Sequence, residues 1–188
     1  MNRIFILMVC LCFACQEIRV PKPKAFLSLE YPKANYQNIE TQLPFTFEKN
    51  KLTTVETISK NHKILGLNLN YPSLNATVYL TYKKLNNNLK NYITEAQVIT
   101  QNHAKIAREV SERAFENKQT NVYGKLYNLK GAVASPIQFF ISDNKSNFLL
   151  GALYFKTRPN YDSIFPAVDY IKKDIVQLME SVRWKNQP

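Results

Sequence analysis

The chain opens MNRIFILMVCLCFACQEIRVPKPK, and all three of its cysteines, Cys10, Cys12 and Cys15, lie within this stretch. Thiols at this spacing have three chemistries open to them. A C-x-C-x-x-C metal or iron–sulfur site needs a folded scaffold and a fourth ligand. No cysteine follows Cys15, and the only histidines are His62 and His103. A disulfide framework needs cysteines distributed through the fold. The third chemistry is acylation at a bacterial lipobox, where a small residue precedes a cysteine that forms a thioether to diacylglycerol before cleavage. Only Cys15 fits, because Ala14 precedes it, whereas Cys10 follows Val9 and Cys12 follows Leu11. Arg3 supplies a short positive region, and Ile4 to Ala14 is an apolar run of signal-peptide length, too short to span a bilayer. The box departs from the ideal at Cys12, which occupies the usual leucine position. Cleavage before Cys15 removes Cys10 and Cys12, so residues 1–14 are expected to be a signal and Cys15 a lipid anchor.

The remaining reactive side chains form no signature. Four glycines lie far apart, which excludes a P-loop and a GxGxxG turn, and no GxSxG elbow occurs. Ser135 reads as turn chemistry. His103 falls on an apolar helical face, as a boundary histidine would, and His62 is read as the exposed start of a strand. Neither belongs to an HExxH arrangement, so no metal ligands are assigned. Glu30, Glu40, Glu48, Glu56, Asp143 and Asp162 are the candidate acids for general acid–base work, but no spacing selects a pair. Asp162 is read as a helix cap. The tyrosines of the strands are read as packing groups, with a tyrosine-lined groove that binds glycan or lipid, and hence a periplasmic lipid- or glycan-binding lipoprotein, as the functional alternative. No catalytic residue, metal, cofactor or small-molecule substrate is expected, and the chain is not read as an enzyme.

The formal charge is +11 and falls by one if the signal, with Arg3, is removed. Export excludes nucleic acid as a physiological partner. It leaves anionic lipid, lipopolysaccharide, peptidoglycan or an acidic protein. The basic excess is spread along the sequence rather than gathered into a stripe. Residues 15–24 read as the lipidated cysteine and a Pro/Lys tether, in which Pro21 and Pro23 favour an extended path. Arg19, Lys22 and Lys24 are either a solvated linker or a headgroup-attracting one.

Residues 25–188 are expected to form one domain. AFLSLEY (Ala25 to Tyr31), PFTFEKN and TTVETIS read as strands, the last two around a turn at Asn50–Lys51. HKILGLNLNYP puts Leu65, Leu67 and Leu69 on one side and Ile64 and Gly66 on the other. ATVYLTY is a period-two strand. Apolar residues at Leu89, Tyr92, Ile93, Ala96, Ile99, His103, Ile106, Ala107 and Val110 then mark an amphipathic helix, with Asn86–Asn88 suited to its N-terminus. Strands follow at ERAFEN, NVYGKLYNL, PIQFFIS and NFLLGALYFKT, the last pair a hairpin. A closing helix is predicted with Asp162 or Ser163 as cap and Pro166 in its first turn. The order predicts an α+β single domain: a mainly antiparallel sheet packed by a long middle helix and a C-terminal helix. By architecture alone it is similar to the Mog1/PsbP-type sandwich.

Three segments in consistent order carry a closer likeness: PKPKAFLSLEYP, YPSLNATVYLTYKKLNNNL and RPNYDSIFPAVDYIKKDIVQLMESVRWK, joined by the hairpin QFFISDNKSNFLLGALYF. The chain resembles the gliding-motility lipoprotein GldD family of Bacteroidota over nearly its whole mature length. The resemblance implies a non-catalytic envelope lipoprotein working with the gliding motor and type IX secretion apparatus. Only the lipid-bearing position carries over, onto Cys15. The stretch after Cys15 lacks the acidic run of surface-exported lipoproteins, so the expected place is the inner leaflet of the outer membrane.

Overall fold

The computed structural model describes residues 30–157 and 161–185. The signal, Cys15, the tether and residues 25–29 of the first expected strand lie outside them. Glu30 and Tyr31 are not in a strand.

Among the described residues, ten strands and two α-helices follow in order. They are β1 (Tyr36–Glu40), β2 (Phe45–Asn50), β3 (Thr54–Lys60), β4 (Lys63–Tyr71), β5 (Ala76–Lys84) and α1 (Leu89–Ala104). After these come β6 (Glu109–Asn117), β7 (Val122–Lys130), β8 (Ile137–Ser142), β9 (Asn147–Phe155), α2 (Tyr161–Ser181) and β10 (Arg183–Trp184). Seven strands form one sheet in the order β3-β4-β5-β9-β8-β7-β6, and β1-β2-β10 form a small second sheet. Every pairing is antiparallel. The α+β architecture is therefore as expected.

The large sheet is buried on both faces over its centre. Ile137, Phe139 and Ile141 of β8, with Leu149 and Leu153 of β9, join α2 and the small sheet in the main core. The alternate residues Phe140 and Phe148 join α1 and Leu129 in a second core. A strand covered on both sides has no polar face to keep, which is why Phe148 to Phe155 is apolar at nearly every position. Gly151 is needed in β9 for a different reason. It lies opposite Phe139 in the ladder, and a Cβ there would fall within the Phe139 ring. Phe139 is fully buried and has nowhere to move. Gly151→Ala should lower unfolding stability by about 1–3 kcal/mol, the usual effect of overpacking. Equilibrium urea unfolding measures it. An unchanged midpoint would mean that the ring repacks freely.

In α2 the stripe Val168, Ile171, Ile175, Leu178 and Met179 is buried, as its spacing predicts, and Lys173 meets Asp169 at 3.4 Å on the outer side. The helix starts earlier than expected. Asp162 and Ser163 lie within its first turn rather than capping it, and Pro166 is inside the helix. The chain does not end with α2. Val182 is fully buried, and Arg183 and Trp184 then pair with Thr46 and Phe45 of β2. Trp184 packs edge-on to Phe45 at 5.9 Å and donates its Nε1 proton to the Asn121 carbonyl at 3.1 Å.

The strands on either side of Lys51 form as expected, β2 in the small sheet and β3 in the large one. Three further expectations need correction. The middle helix ends at Ala104, so Val110 belongs to β6, and Asn88 makes no side-chain bond to the helix. Its Oδ1 instead accepts from the Asn86 N–H at 2.9 Å. His62 sits in the β3–β4 turn with φ of 61° beside Asn61 at 50°, and β4 begins one residue later. Finally, Ile58 pairs with Gly66 and Ser59 with Ile64, leaving Leu65 as the extra residue of a β-bulge. A bulge reverses the alternation, so Ile64 packs against the core while Leu65 is 37% exposed.

Candidate functional site

The polar cluster of greatest chemical interest centres on Asp174, a carboxylate in the apolar stripe of α2, three residues after Ile171 and one before Ile175. It is 4% exposed. Its Oδ1 accepts the Tyr36 hydroxyl proton at 2.8 Å. Its Oδ2 accepts from the Asn50 amide and from the Tyr71 hydroxyl, each at 3.0 Å. The Asn50 amide also donates to the Tyr170 hydroxyl oxygen at 3.0 Å, and Tyr31 stacks on Tyr170 with ring centres 5.0 Å apart. The Asn50 Oδ1 accepts the Leu52 N–H at 3.0 Å, closing the turn after β2. One carboxylate thus ties β1, β2, β4 and α2 together where the two sheets meet.

Burial pushes the Asp174 carboxyl above the usual carboxylate range, and the bonds from Tyr36, Asn50 and Tyr71 offset part of that rise. Burial, with the Asp174 charge and hydrogen bond added, pushes the Tyr71 and Tyr36 hydroxyls far upward. Both tyrosines therefore remain proton donors at any physiological pH. Beside them, buried Lys49 donates to the carbonyls of Thr53 at 2.7 Å and Asn50 at 3.3 Å, and burial lowers its pKa. A carboxylate with both oxygens engaged and almost no exposure cannot reach a substrate. The arrangement is an interlock between layers.

The acids singled out from the sequence are dispersed. Glu40 pairs with Lys185 at 2.9 Å, and Glu48 accepts from the Gln177 amide at 2.7 Å. Glu56 accepts from Asn68 at 3.2 Å on an open sheet face. Asp143 caps its own turn. Burial raises its pKa, but three backbone N–H groups, from Asn147, Lys145 and Ser146, together with the Asn147 amide, outweigh burial and hold it low. Asp162 lies in the first turn of α2, and Glu30 is exposed at the start of the described chain. Ser135 is fully buried, and its Oγ donates to the Ile137 carbonyl at 3.2 Å, the turn role expected. His103 is half-buried, edge-on to Tyr154 at 6.2 Å, and His62 is exposed. Among the described residues no group of His, Cys, Asp and Glu is arranged to hold a metal.

Tyr36 and Tyr71 donate to Asp174, and Tyr170 with the stacked Tyr31 packs beside them, so four tyrosines serve the interlock. Four surface hollows among the described residues, of about 250 to 550 Å³, hold at most one tyrosine each, Tyr79 in one and Tyr127 in another. Sequence reasoning missed Asp174, Tyr36, Asn50 and Tyr170. The signal for Asp174 was present: a carboxylate interrupts an otherwise apolar stripe, and such a residue needs buried partners.

The fold is a two-sheet α+β sandwich of the PsbP kind. The solution structure of cyanobacterial PsbP from Synechocystis sp. PCC 6803 matches with a TM-score of 0.50 at 7% identity, over 88% of this chain and 99% of that one. At that identity the likeness is one of fold alone. The family described as gliding motility lipoprotein GldD matches residues 16–184, and the chain belongs to it. Membership makes the chain a gliding motility lipoprotein, associated with the cell envelope through lipid. No curated protein matches.

Proposed function

We propose that this lipoprotein is a non-enzymatic assembly or stabilising component of the gliding and type IX secretion machinery. The observation that carries the reading is the family match from residue 16 to 184. The structural support is that the sequence's candidate acids and histidines serve local packing and turns, while the most deeply buried acid, Asp174, serves the interlock. In this reading residues 1–14 are the signal, Cys15 bears the lipid, residues 15–24 are the tether and residues 25–188 act as one body. The anchor lies in the inner leaflet of the outer membrane, and the domain works by touching proteins.

Crosslinking and mass spectrometry on intact cells tests this. The expected result is a set of crosslinks from the domain to gliding or secretion components, strongly reduced in a Cys15→Ser strain. A crosslink set confined to enzymes' substrates or to glycan, with no machinery component, would overturn the proposal.

A further inference from the structure

Six exposed lysines that lie far apart in sequence are brought to one end of the large sheet. Lys60 and Lys63 face each other directly across the β3–β4 turn. Lys84 ends β5 opposite Asn147, next to the β8–β9 turn that carries Lys145. Lys83 lies over the Tyr92 ring at 6.0 Å, which places the first turn of α1, with Lys90, at the same end. None of the six has an ion-pair partner among the described residues, whereas Lys118, Lys125, Lys130, Lys173 and Lys185 each have one. Lys118, in the β6–β7 turn at this end, is matched by Glu116 at 3.5 Å, and the Asp143 carboxylate is taken up by its own turn. Like charges directly opposite on a ladder are destabilising, so the Lys60–Lys63 pair is a cost that the fold itself does not offset.

The end is also defined relative to the anchor. Tyr31, the second residue of the described chain, stacks on Tyr170 beside Asn50 and Tyr71. Tyr71 lies at the Ala76 end of β5, about 26 Å from Lys84 at ~3.3 Å per residue. The lysine end therefore points away from the point where the chain arrives from Cys15. Across the five strands from β3 to β8, at ~4.8 Å each, it is about 20 Å wide, too broad for a small anion. Left-handed asparagines at the turns, Asn61, Asn87, Asn121 and Asn144, add amide donors and acceptors around it.

We propose that this lysine end is the docking surface for an acidic polypeptide segment of a partner. Taking the occupant to be a protein rests on the functional reading above. Charge complementarity and the placement at the end of the sheet opposite Tyr31 stand without it.

The test uses the full lipidated chain in neutral detergent, with fluorescent polyglutamate as one probe and vesicles containing phosphatidylglycerol as the other. Reversing Lys60, Lys63, Lys84 and Lys145 to Glu should weaken polyglutamate binding by about tenfold or more. A control reversing Lys33, Lys51, Lys105 and Lys156, equal in net charge but toward the other end, should weaken it by no more than about threefold. Circular dichroism and thermal melting establish folding for each variant, and a Lys→Gln set replaces the reversals if they fail to fold. Equal weakening in the two sets would reduce the effect to net charge and overturn the proposal. So would unchanged polyglutamate binding, or a loss confined to the vesicles, which would make the surface a bilayer contact. An absence of machinery crosslinks in cells counts against the functional reading, and leaves this in vitro comparison to stand or fall by itself.

Discussion

Asp174→Ala is expected to lower unfolding stability by about 3–5 kcal/mol, the largest loss from any single polar substitution in the described fold. The substitution leaves the donors of Tyr36, Tyr71 and Asn50 facing a cavity. A buried polar group without a partner costs about 1–3 kcal/mol. Tyr36 is only half-buried and recovers a bond to water, which keeps the total below the sum for three fully buried groups. Asp174→Asn keeps the shape but turns one acceptor into a donor. The flip without a clash puts the new amide in the Oδ1 place, where it donates to the Tyr36 hydroxyl and turns that proton to water. Weakening the charge-assisted bonds from Asn50 and Tyr71 leaves a loss of about 1–3 kcal/mol.

The pH dependence separates charge from packing. Because burial raises the Asp174 pKa in the folded state, the folded protein holds that proton more tightly than the unfolded chain does. Stability through this group therefore falls as pH rises from the unfolded carboxylate range, near about 3.9, through the folded value, and is flat above it. Asp174→Asn should remove that falling segment. Urea unfolding at a series of pH values reads both effects. A loss under about 1 kcal/mol for Asp174→Ala would show that water, not this carboxylate, satisfies the tyrosines.

The same residue shows why part of the fold was legible and part was not. The stripe of α2, the alternation of β5 and the β8–β9 hairpin are local patterns, each enforced by burial of one face or by a turn of fixed chemistry. Period alone located them. β2 pairs with β1 just before it and, on its other edge, with Arg183 and Trp184, more than a hundred residues away, and nothing in PFTFEKN announces either partner. The middle helix was read too long because Ile106 and Val110 continue its spacing, yet they are 62% and 45% exposed. Their apolar character did not reflect burial. Leu65 misled in the opposite way, since a bulge reverses the faces of a strand without changing its composition. The lysines looked dispersed for a related reason. Antiparallel hairpins return distant residues to one end, so charges at 60, 63, 84 and 145 are scattered in sequence and neighbours in the fold. Asp174 was hidden by expectation: an acid in a helix reads as solvent-facing unless its place on the stripe is counted.

The largest functional effect is expected from a residue outside the described fold. Cys15→Ser should abolish lipid attachment, membrane retention and gliding together. A serine hydroxyl at neutral pH lacks the thiolate that makes cysteine the nucleophile, so no thioether forms and the lipid-dependent cleavage does not follow. Acyl chains contribute about 0.8 kcal/mol per buried methylene, and one chain holds only marginally, whereas several hold stably. No helix among the described residues is long and apolar enough to replace the anchor by crossing a membrane. Membrane fractionation, intact mass and colony spreading measure the three consequences. Cys10→Ser and Cys12→Ser are the controls: in the proposed reading both positions lie in the signal that cleavage removes, and all three readouts should stay unchanged. If Cys15→Ser cells still glide and retain the protein in the membrane, the anchor is not the acylated cysteine. If they lose the lipid yet still glide, the domain reaches its partner unaided, and the lysine end becomes the feature that localises it.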